Sequence, residues 1–499
     1  MIITESMIMT VSTKRRSPWK TFAVVLSAVL LFGGAVMGVT YFLYHGFGRS
    51  TAGSGEVRII DQAGGSQNVA GNNGGRQKAE ESRDGLLTLI NEGGSVLDKM
   101  QSEFVPEAAA AEPIGRYSEL LADPDRMKAE KIYAMKSSSP DTITLAFAGD
   151  ILFDPAYAVM AKLKQRGGRM EDGISEELLT RMRSADIFMV NNEFTYSNGG
   201  TPTEGKQYTF RAAPESVSYL EDMGADVVSL ANNHVYDYGE SALIDTLTTL
   251  EDKGIPYVGA GRNLEEASEP VSFIVNDTKI TILSATQIER QDHPDTKGAT
   301  ESGAGTFRCW NPDRLIGAVA LARQNSDYVI VYIHWGTENT TEIDWAQRDQ
   351  AKMIAEAGAD LIVGDHPHCL QPLAYVNDVP VIYSLGNFWF NSRQVDTCLL
   401  EVEFQTVSAT DSADMSGLEQ AGPADAAGQE QADLTGGQPG NASVGVQRQK
   451  PVVRIVPAIQ KDCYTSQLHD AEQKRVIDHL NGISTNAYLD EDGIMHPKN

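Results

Sequence analysis

The sequence predicts an α/β domain on a mostly parallel sheet, preceded by one membrane-spanning helix. Three observations predict it. Between Asp141 and about Phe404, apolar runs of strand length alternate with helix-period segments, the pattern of βαβ units. Phe22–Tyr44 carries no charged residue and, at about 1.5 Å per residue, is long enough to cross a hydrocarbon core of about 30 Å. Polar residues with ligand chemistry recur just after the apolar runs, where open α/β sheets bind ligands.

The N-terminal elements follow from charge and composition. Lys14, Arg15, Arg16 and Lys20 precede the apolar run and only Arg49 closely follows it, so the positive-inside bias leaves residues 1–21 in the cytoplasm. The rest of the chain is then extracytoplasmic, and the protein is a single-pass protein of the cell membrane. A cleavable signal would have an apolar core of about 7–15 residues and a small-residue cleavage site, neither of which is evident here, so residues 22–44 are expected to stay as an anchor. Residues 45–140 are expected to be a flexible stalk, because 50–102 is rich in Gly, Asn, Gln and Ser and poor in large apolar residues.

The domain is expected over 141–465. Its strand candidates are Thr142–Ala148, Asp186–Val190, Asp226–Leu230, Tyr328–Ile333, Asp360–Val363 and Val379–Ser384. Helices are expected at Ile174–Arg183 and Ala242–Leu250, and Asn311-Pro312 reads as a cap and first residue of another. Val271–Asn276 and Lys279–Ser284, parted by Asp277-Thr278, read as a hairpin, which makes the sheet mixed. Leu399–Phe404 and Val452–Ile459 read as two more strands around a disordered insertion at about 406–449, tolerable because loop-closure entropy grows slowly with length. Residues 466–499 are expected to form a helix over Ser466–Ile483 and a frayed tail. LEDMGADVVSLANNH and IAEAGADLIVGDHPH echo each other as helix, Gly-Ala-Asp turn, strand and polar end.

A formal charge of −27 argues against nucleic-acid binding, which needs basic surface to neutralise phosphates. The four cysteines are too few and scattered for a disulfide framework; they read as buried thiols, with Cys398 and Cys463 the one pair worth testing.

The chemistry lies at the strand ends. Asp150, Glu193, Asn233-His234, His334, His366 with His368, and Asn387 each follow an apolar run. Taken singly, most have structural roles to hand: Asp150 as a helix cap, Asn233 and Asn387 in turns, His334 as a core histidine. Two imidazoles presented by His366-Pro367-His368 suit a dinuclear site better, and four of the nine histidines fall at strand ends. Imidazole, carboxylate and amide donors together suit Mn²⁺, Zn²⁺ or Fe. Asp150, Glu193, Asn233, His334, His366 and His368 are therefore the expected metal ligands, with His234 the expected acid for a leaving group. Arg211 and Asn387 are candidates for contacting an anionic substrate, although a surface ion pair would account for Arg211 equally well.

At these residues the chain resembles the bacterial poly-γ-glutamate capsule synthesis protein family, relatives of the calcineurin-like metallophosphoesterases. The resemblance is carried in order by AGDILFD (148–154), NNEFTYS (191–197), FRAAPE (210–215), SLANNHVYDYG (229–239), HWGTE (334–338), GDHPHCLQP (364–372) and YSLGNFWF (383–390). It implies a four-layer α/β/β/α sandwich and a role in making or exporting an anionic capsule polymer alongside other membrane proteins of a synthesis complex. It also matches Asp150, Asn233-His234, His334, His366 and His368 to the phosphoesterase ligand pattern. Glu193 stands near the expected bridging carboxylate, and Leu152 stands where phosphoesterases place a histidine. Two further readings stay open: a non-catalytic polymer- or partner-binding scaffold, and a metal-dependent phosphoesterase acting on a cell-envelope phosphate.

Overall fold

The computed structural model describes residues 115–288, 297–407 and 449–498. The expected anchor at residues 22–44, the stalk before residue 115 and nearly all of the 406–449 insertion lie outside the described residues. Among the described residues no helix is long and apolar enough to cross a membrane.

Two mixed sheets form the framework, rather than the one that simple alternation suggests. In the first, strands run in the order Ile132–Met135, Val271–Val275, Thr278–Thr286, Tyr328–His334, Leu361–Asp365, Val379–Ile382, Leu373–Val376. The second runs Tyr464–Gln467, Val452–Lys461, Val395–Gln405, Thr142–Ile151, Ile187–Asn192, Val227–Ser229, Tyr257–Val258, with Asn387–Trp389 also pairing Thr142–Ile151. The site-bearing strands of each sheet pair in parallel, and antiparallel strands flank them. Period-two patterning marks a strand but carries no label for the sheet it joins.

Packing explains why these strands are apolar throughout. Ile143, Leu145 and Phe147 of the second sheet and Phe273, Ile282 and Ile330 of the first share one buried cluster between the sheets. Leu178, Leu179, Met182, Leu243 and Leu247, from helices Glu176–Ser184 and Glu240–Lys253, cover the other face of the second sheet. Helices Asp313–Asn325 and Trp345–Ala357 cover the outer face of the first through Leu315, Val319, Ala351 and Ile354. Strands buried on both faces, such as Ile187–Asn192 and Tyr328–His334, have no exposed row in which polar residues could alternate.

Several boundaries move for local reasons. The first-sheet hairpin turns at Asn276-Asp277, whose φ angles of 47° and 56° match the left-handed turn that suits strand twist, one residue before the expected position. Asn311 caps the following helix by accepting the Asp313 N–H at 3.2 Å, but Pro312 occupies the cap position and the helix starts at Asp313. Residues 115–140, assigned above to the stalk, fold onto the domain: Ile132–Met135 forms the parallel edge of the first sheet. At the other end Tyr464–Gln467 is a strand, the helix begins at Asp470, and the supposedly frayed tail closes as the pair Ala487–Leu489 and Met495–Pro497. Cys398 and Cys463 do not pair with each other: Cys398 lies in the inter-sheet cluster and Cys463 in the cluster on the other face of that sheet.

Candidate metal centre

The two echoed segments supply opposite walls of one crevice. Helix Ser218–Met223 ends on Gly224 at φ 80°, and strand Val227–Ser229 then leads to Asn232, Asn233 and His234. Helix Trp345–Ala357 ends on Gly358 at φ 111°, and strand Leu361–Asp365 then leads to His366 and His368. One strand belongs to the second sheet and the other to the first, so the ligand candidates meet between the carboxyl ends of two sheets, not at one end of a single sheet. His366 and His368 have φ of 102° and 58°. Non-glycine residues held there cost about 1–3 kcal/mol each, and such strain concentrates at functional sites.

Two triads result. Glu193, His334 and His366 form one, and Asp150, Glu193 and His368 the other, with ligand atoms of each within 4.8 Å of one another. Glu193 is common to both. Asn233 joins the first, its Oδ1 2.9 Å from His334 Nε2, which in turn lies 3.0 Å from His366 Nδ1. Asn387 joins the second: its Oδ1 and Asp150 Oδ2 lie 2.8 and 3.0 Å from His368 Nδ1. Asn387, expected to touch substrate, pairs opposite Asp150 in the sheet and stands among the ligand candidates.

Glu193 decides whether these residues suit a metal. It is fully buried, and among the described residues no N–H or hydroxyl donates to either carboxylate oxygen. Burial, and then the charge of Asp150, push its carboxyl well above the usual range. A buried carboxylate with no donor is costly, and a cation between the triads would remove that cost. Burial also lowers His334 to about 3 and His366 well below the usual imidazole value, which keeps both in the neutral, ligating form. For Asp150 burial acts upward, but the hydrogen bond and charge of His368 outweigh it and hold the carboxyl low. Neutral imidazoles, carboxylates and amide oxygens in two sets sharing one carboxylate fit a pair of divalent cations.

His234 sits beside the triads. Its Nε2 is 3.9 Å from Glu193 Oε1 and its Nδ1 2.7 Å from Asp237 Oδ2, with the Phe210 ring packed over it at 4.1 Å between centroids. Asp237 also accepts from the Phe210 N–H at 2.7 Å and from Lys206 Nζ at 2.5 Å. Sequence reasoning did not select Asp237, although its i+3 spacing from His234 was visible. It also passed over Asn191, which donates to Asp150 Oδ1 at 2.7 Å, and Asp365, which accepts from Tyr332 Oη at 2.9 Å and the His366 N–H at 3.0 Å. Arg211 does not join the cluster: its guanidinium donates to the Gly199 carbonyl at 2.8 Å and lies 4.2 Å from the Tyr238 ring centroid. Leu152, in the place of the phosphoesterase histidine, is buried in apolar packing.

Two clefts open onto the centre. One of about 240 Å³ is bounded by Leu152, Tyr157, Phe210, His234, His368 and Arg393. The other, of about 370 Å³, is bounded by Asn233, Gln287, Trp310, Glu338, Trp345 and His366. A larger hollow of about 840 Å³ beside Arg116, Lys279 and Leu321 includes none of the cluster residues, so volume alone would mislead here.

Comparison with known proteins matches the stretch that holds these residues. The family model described as Bacterial capsule synthesis protein PGA_cap matches residues 144–392, a segment that contains every residue of both triads together with Asn233, His234 and Asn387. The PGA biosynthesis protein CapA of Bacillus subtilis (strain 168) is 32% identical over 273 residues, covering 54% of this chain and 69% of that protein. The Capsule biosynthesis protein CapA of Bacillus anthracis is 28% identical over 284 residues, covering 55% and 67%. A Mycobacterium tuberculosis protein named as a probable polyglutamine synthesis accessory protein is 26% identical over 210 residues, covering 41% and 55%. On the extent of the Bacillus subtilis match and the place of the cluster within the matched segment, the chain belongs to the bacterial capsule synthesis protein family PGA_cap.

Proposed function

We propose that this protein serves the making or export of a poly-γ-glutamate-type capsule, or a similar anionic surface polymer, through a hydrolytic centre with two divalent cations on the outer side of the cell membrane. The observation that carries the proposal is Glu193, a fully buried carboxylate to which no N–H or hydroxyl of the described residues donates, shared by two ligand-type triads. Glu193, His334, His366 and Asn233 would hold one cation; Glu193, Asp150, His368 and Asn387 would hold the other. Such a pair, whether Mn²⁺, Zn²⁺ or Fe, would supply Lewis acidity and lower the pKa of a water there.

The chain's own groups do the remaining work. Asp237 fixes the His234 ring through Nδ1, leaving Nε2 turned toward Glu193 to move a proton to or from a leaving oxygen. Arg393, whose Nη1 is oriented by Asn339 Oδ1 at 2.8 Å, supplies a positive charge for an anionic group in the smaller cleft. Phe210, Leu152 and Tyr157 give that cleft apolar walls that limit water.

Membrane attachment rests on Phe22–Tyr44 and its basic flank, and other membrane proteins of a polymer-synthesis complex are the expected partners. A reporter joined after residue 50 should be active only outside the cytoplasm. The scaffold reading is favoured by one observation, Leu152 in apolar packing where a ligand histidine would stand. Metal analysis decides between the two. The hydrolytic reading expects bound Mn²⁺ or Zn²⁺ in the wild type, loss of it in His366→Ala, and retention of metal without hydrolysis in His234→Ala. Equal metal content in wild type and His366→Ala would support the scaffold.

A further inference from the structure

We infer that the cleft between Trp310 and Trp345 is a subsite for a neutral pyranose ring, so that the centre acts on a glycan-containing substrate. Both tryptophans stay open to solvent, at 45% and 62% exposure, an unusual cost for the largest apolar side chain. Their rings meet at 88° with centroids 6.0 Å apart, forming a corner instead of a flat patch. Each ring is placed by its backbone. Trp345 opens the helix Trp345–Ala357, where Asp344 and Gln347 cap reciprocally, while Trp310 follows Cys309, whose N–H is bound by the Thr286 carbonyl at 2.8 Å.

The polar lining selects the ligand class. Around the corner stand Gln287, Glu338, Asp344 and Asn233, and among the described residues no Lys or Arg borders this cleft. Planar carboxylates and amides accept and donate to hydroxyls, whereas two carboxylates without a cation repel an anionic polymer. Indole faces pack well on the aliphatic face of a sugar ring, which carries hydroxyls at its edge for just such partners. His366 and Asn233 border the same cleft, so a ring held on the tryptophans shares it with residues of one candidate metal set. The smaller cleft meets the other triad through His368 and differs in carrying Arg393 beside Glu338, which borders both clefts.

This inference rests on the hydrolytic reading for its link to chemistry, but binding can be measured separately. Full-length wild-type protein in detergent would be titrated with tetramers of glucose, galactose and N-acetylglucosamine, followed by calorimetry and tryptophan fluorescence. At least one should bind saturably, with affinity at least about tenfold weaker in Trp345→Ala and in Trp310→Ala and largely kept in Trp345→Phe. Asp150→Asn, which lies outside this cleft, should lose metal yet bind the same tetramer. No binding by any tetramer to metal-loaded wild type would overturn the subsite and leave the metal centre standing. Tight binding of poly-γ-glutamate oligomers or single-stranded DNA, weakened by the tryptophan substitutions, would equally overturn it.

Discussion

His234 and Asp237 form a dyad, with Nδ1 and Oδ2 2.7 Å apart and both side chains buried. Burial is the largest influence on the imidazole and lowers its pKa, while Asp237 acts against that and Lys206 with it. Because Asp237 also accepts from Phe210 N–H and Lys206, the carboxylate is fixed on three sides and can set the ring's tautomer and tilt. Asp237→Asn keeps the shape but can offer its NH2 where a carboxylate accepted. Hydrolysis of p-nitrophenyl phosphate in Mn²⁺ should fall about 10²-fold with metal content unchanged, because the change touches proton transfer and no ligand. A variant that loses metal as well would make Asp237 part of the binding set.

Glu193 predicts a pH dependence of stability that metal reduces. Its folded carboxyl is raised well above the ordinary range by burial and by Asp150, so between these values the folded chain holds a proton that the unfolded chain has released. The Glu193 contribution to the stability of metal-stripped protein therefore falls as pH rises, the reverse of the usual carboxylate behaviour, whereas the lowered His234, His334 and His366 act the other way below about pH 6.5. Urea midpoints at about pH 7.5 and about pH 9, where the histidines are neutral in both folded and unfolded chain, measure it. The slope should be shallower both in stripped Glu193→Gln and in metal-loaded wild type. An identical slope in wild type and Glu193→Gln would place the effect elsewhere, with Asp365, whose carboxyl is also raised by burial, the next residue to replace.

What was legible in the sequence was the chemistry at strand ends. The pair His366-Pro367-His368 stood out because a rigid turn with two imidazoles has few structural uses, and the structure gives each histidine to a different triad. Asp365 and Asn191 did not stand out, because each ends an apolar run whose last residue reads as part of the strand. Arg211 was selected on charge alone, and charge does not reveal that a carbonyl and a tyrosine ring hold it aside. Residues 115–140 were missed since helix Ser118–Leu121 and strand Ile132–Met135 are each too short to show a period.

Those missed residues should be structural. Arg116 donates from Nη1 and Nη2 to the two Asp327 oxygens at 2.9 and 2.8 Å, Tyr117 Oη donates to Asp327 at 3.0 Å, and Leu120, Met127, Ile132 and Ile274 share a small core. Removing one partner of a partly buried charged pair typically costs about 1–3 kcal/mol. Arg116→Ala should lower thermal stability on that scale, and a chain starting at residue 137 should lose more than one starting at residue 115. Equal melting temperatures for the two truncated chains would return 115–136 to the linker.

Gly149 should control the metal centre without touching a ligand. It lies between Ala148 and Asp150, where strand Thr142–Ile151 receives Asn387, and the Asp150 N–H is bound by the Gly386 carbonyl at 3.2 Å. A Cβ on Gly149 would stand 1.9 Å from that same carbonyl oxygen and 3.1 Å from its carbon, and both are backbone atoms that cannot rotate away. Gly386 itself is held at φ 69°, with Cys369 backbone about 3 Å from where its own Cβ would be. Gly149→Ala must therefore move one chain or the other, and either shift separates Asp150 from Asn387 and from His368 Nδ1, which both contact. Overpacking of this kind costs about 1–3 kcal/mol, a loss the whole domain can bear while the second triad cannot keep its spacing. The expected outcome is a folded protein whose metal content drops by about half, with the Glu193, His334 and His366 set still occupied. Full occupancy in a folded Gly149→Ala variant would mean that the Gly386 turn is free to move, and that strand pairing does not set the position of Asp150.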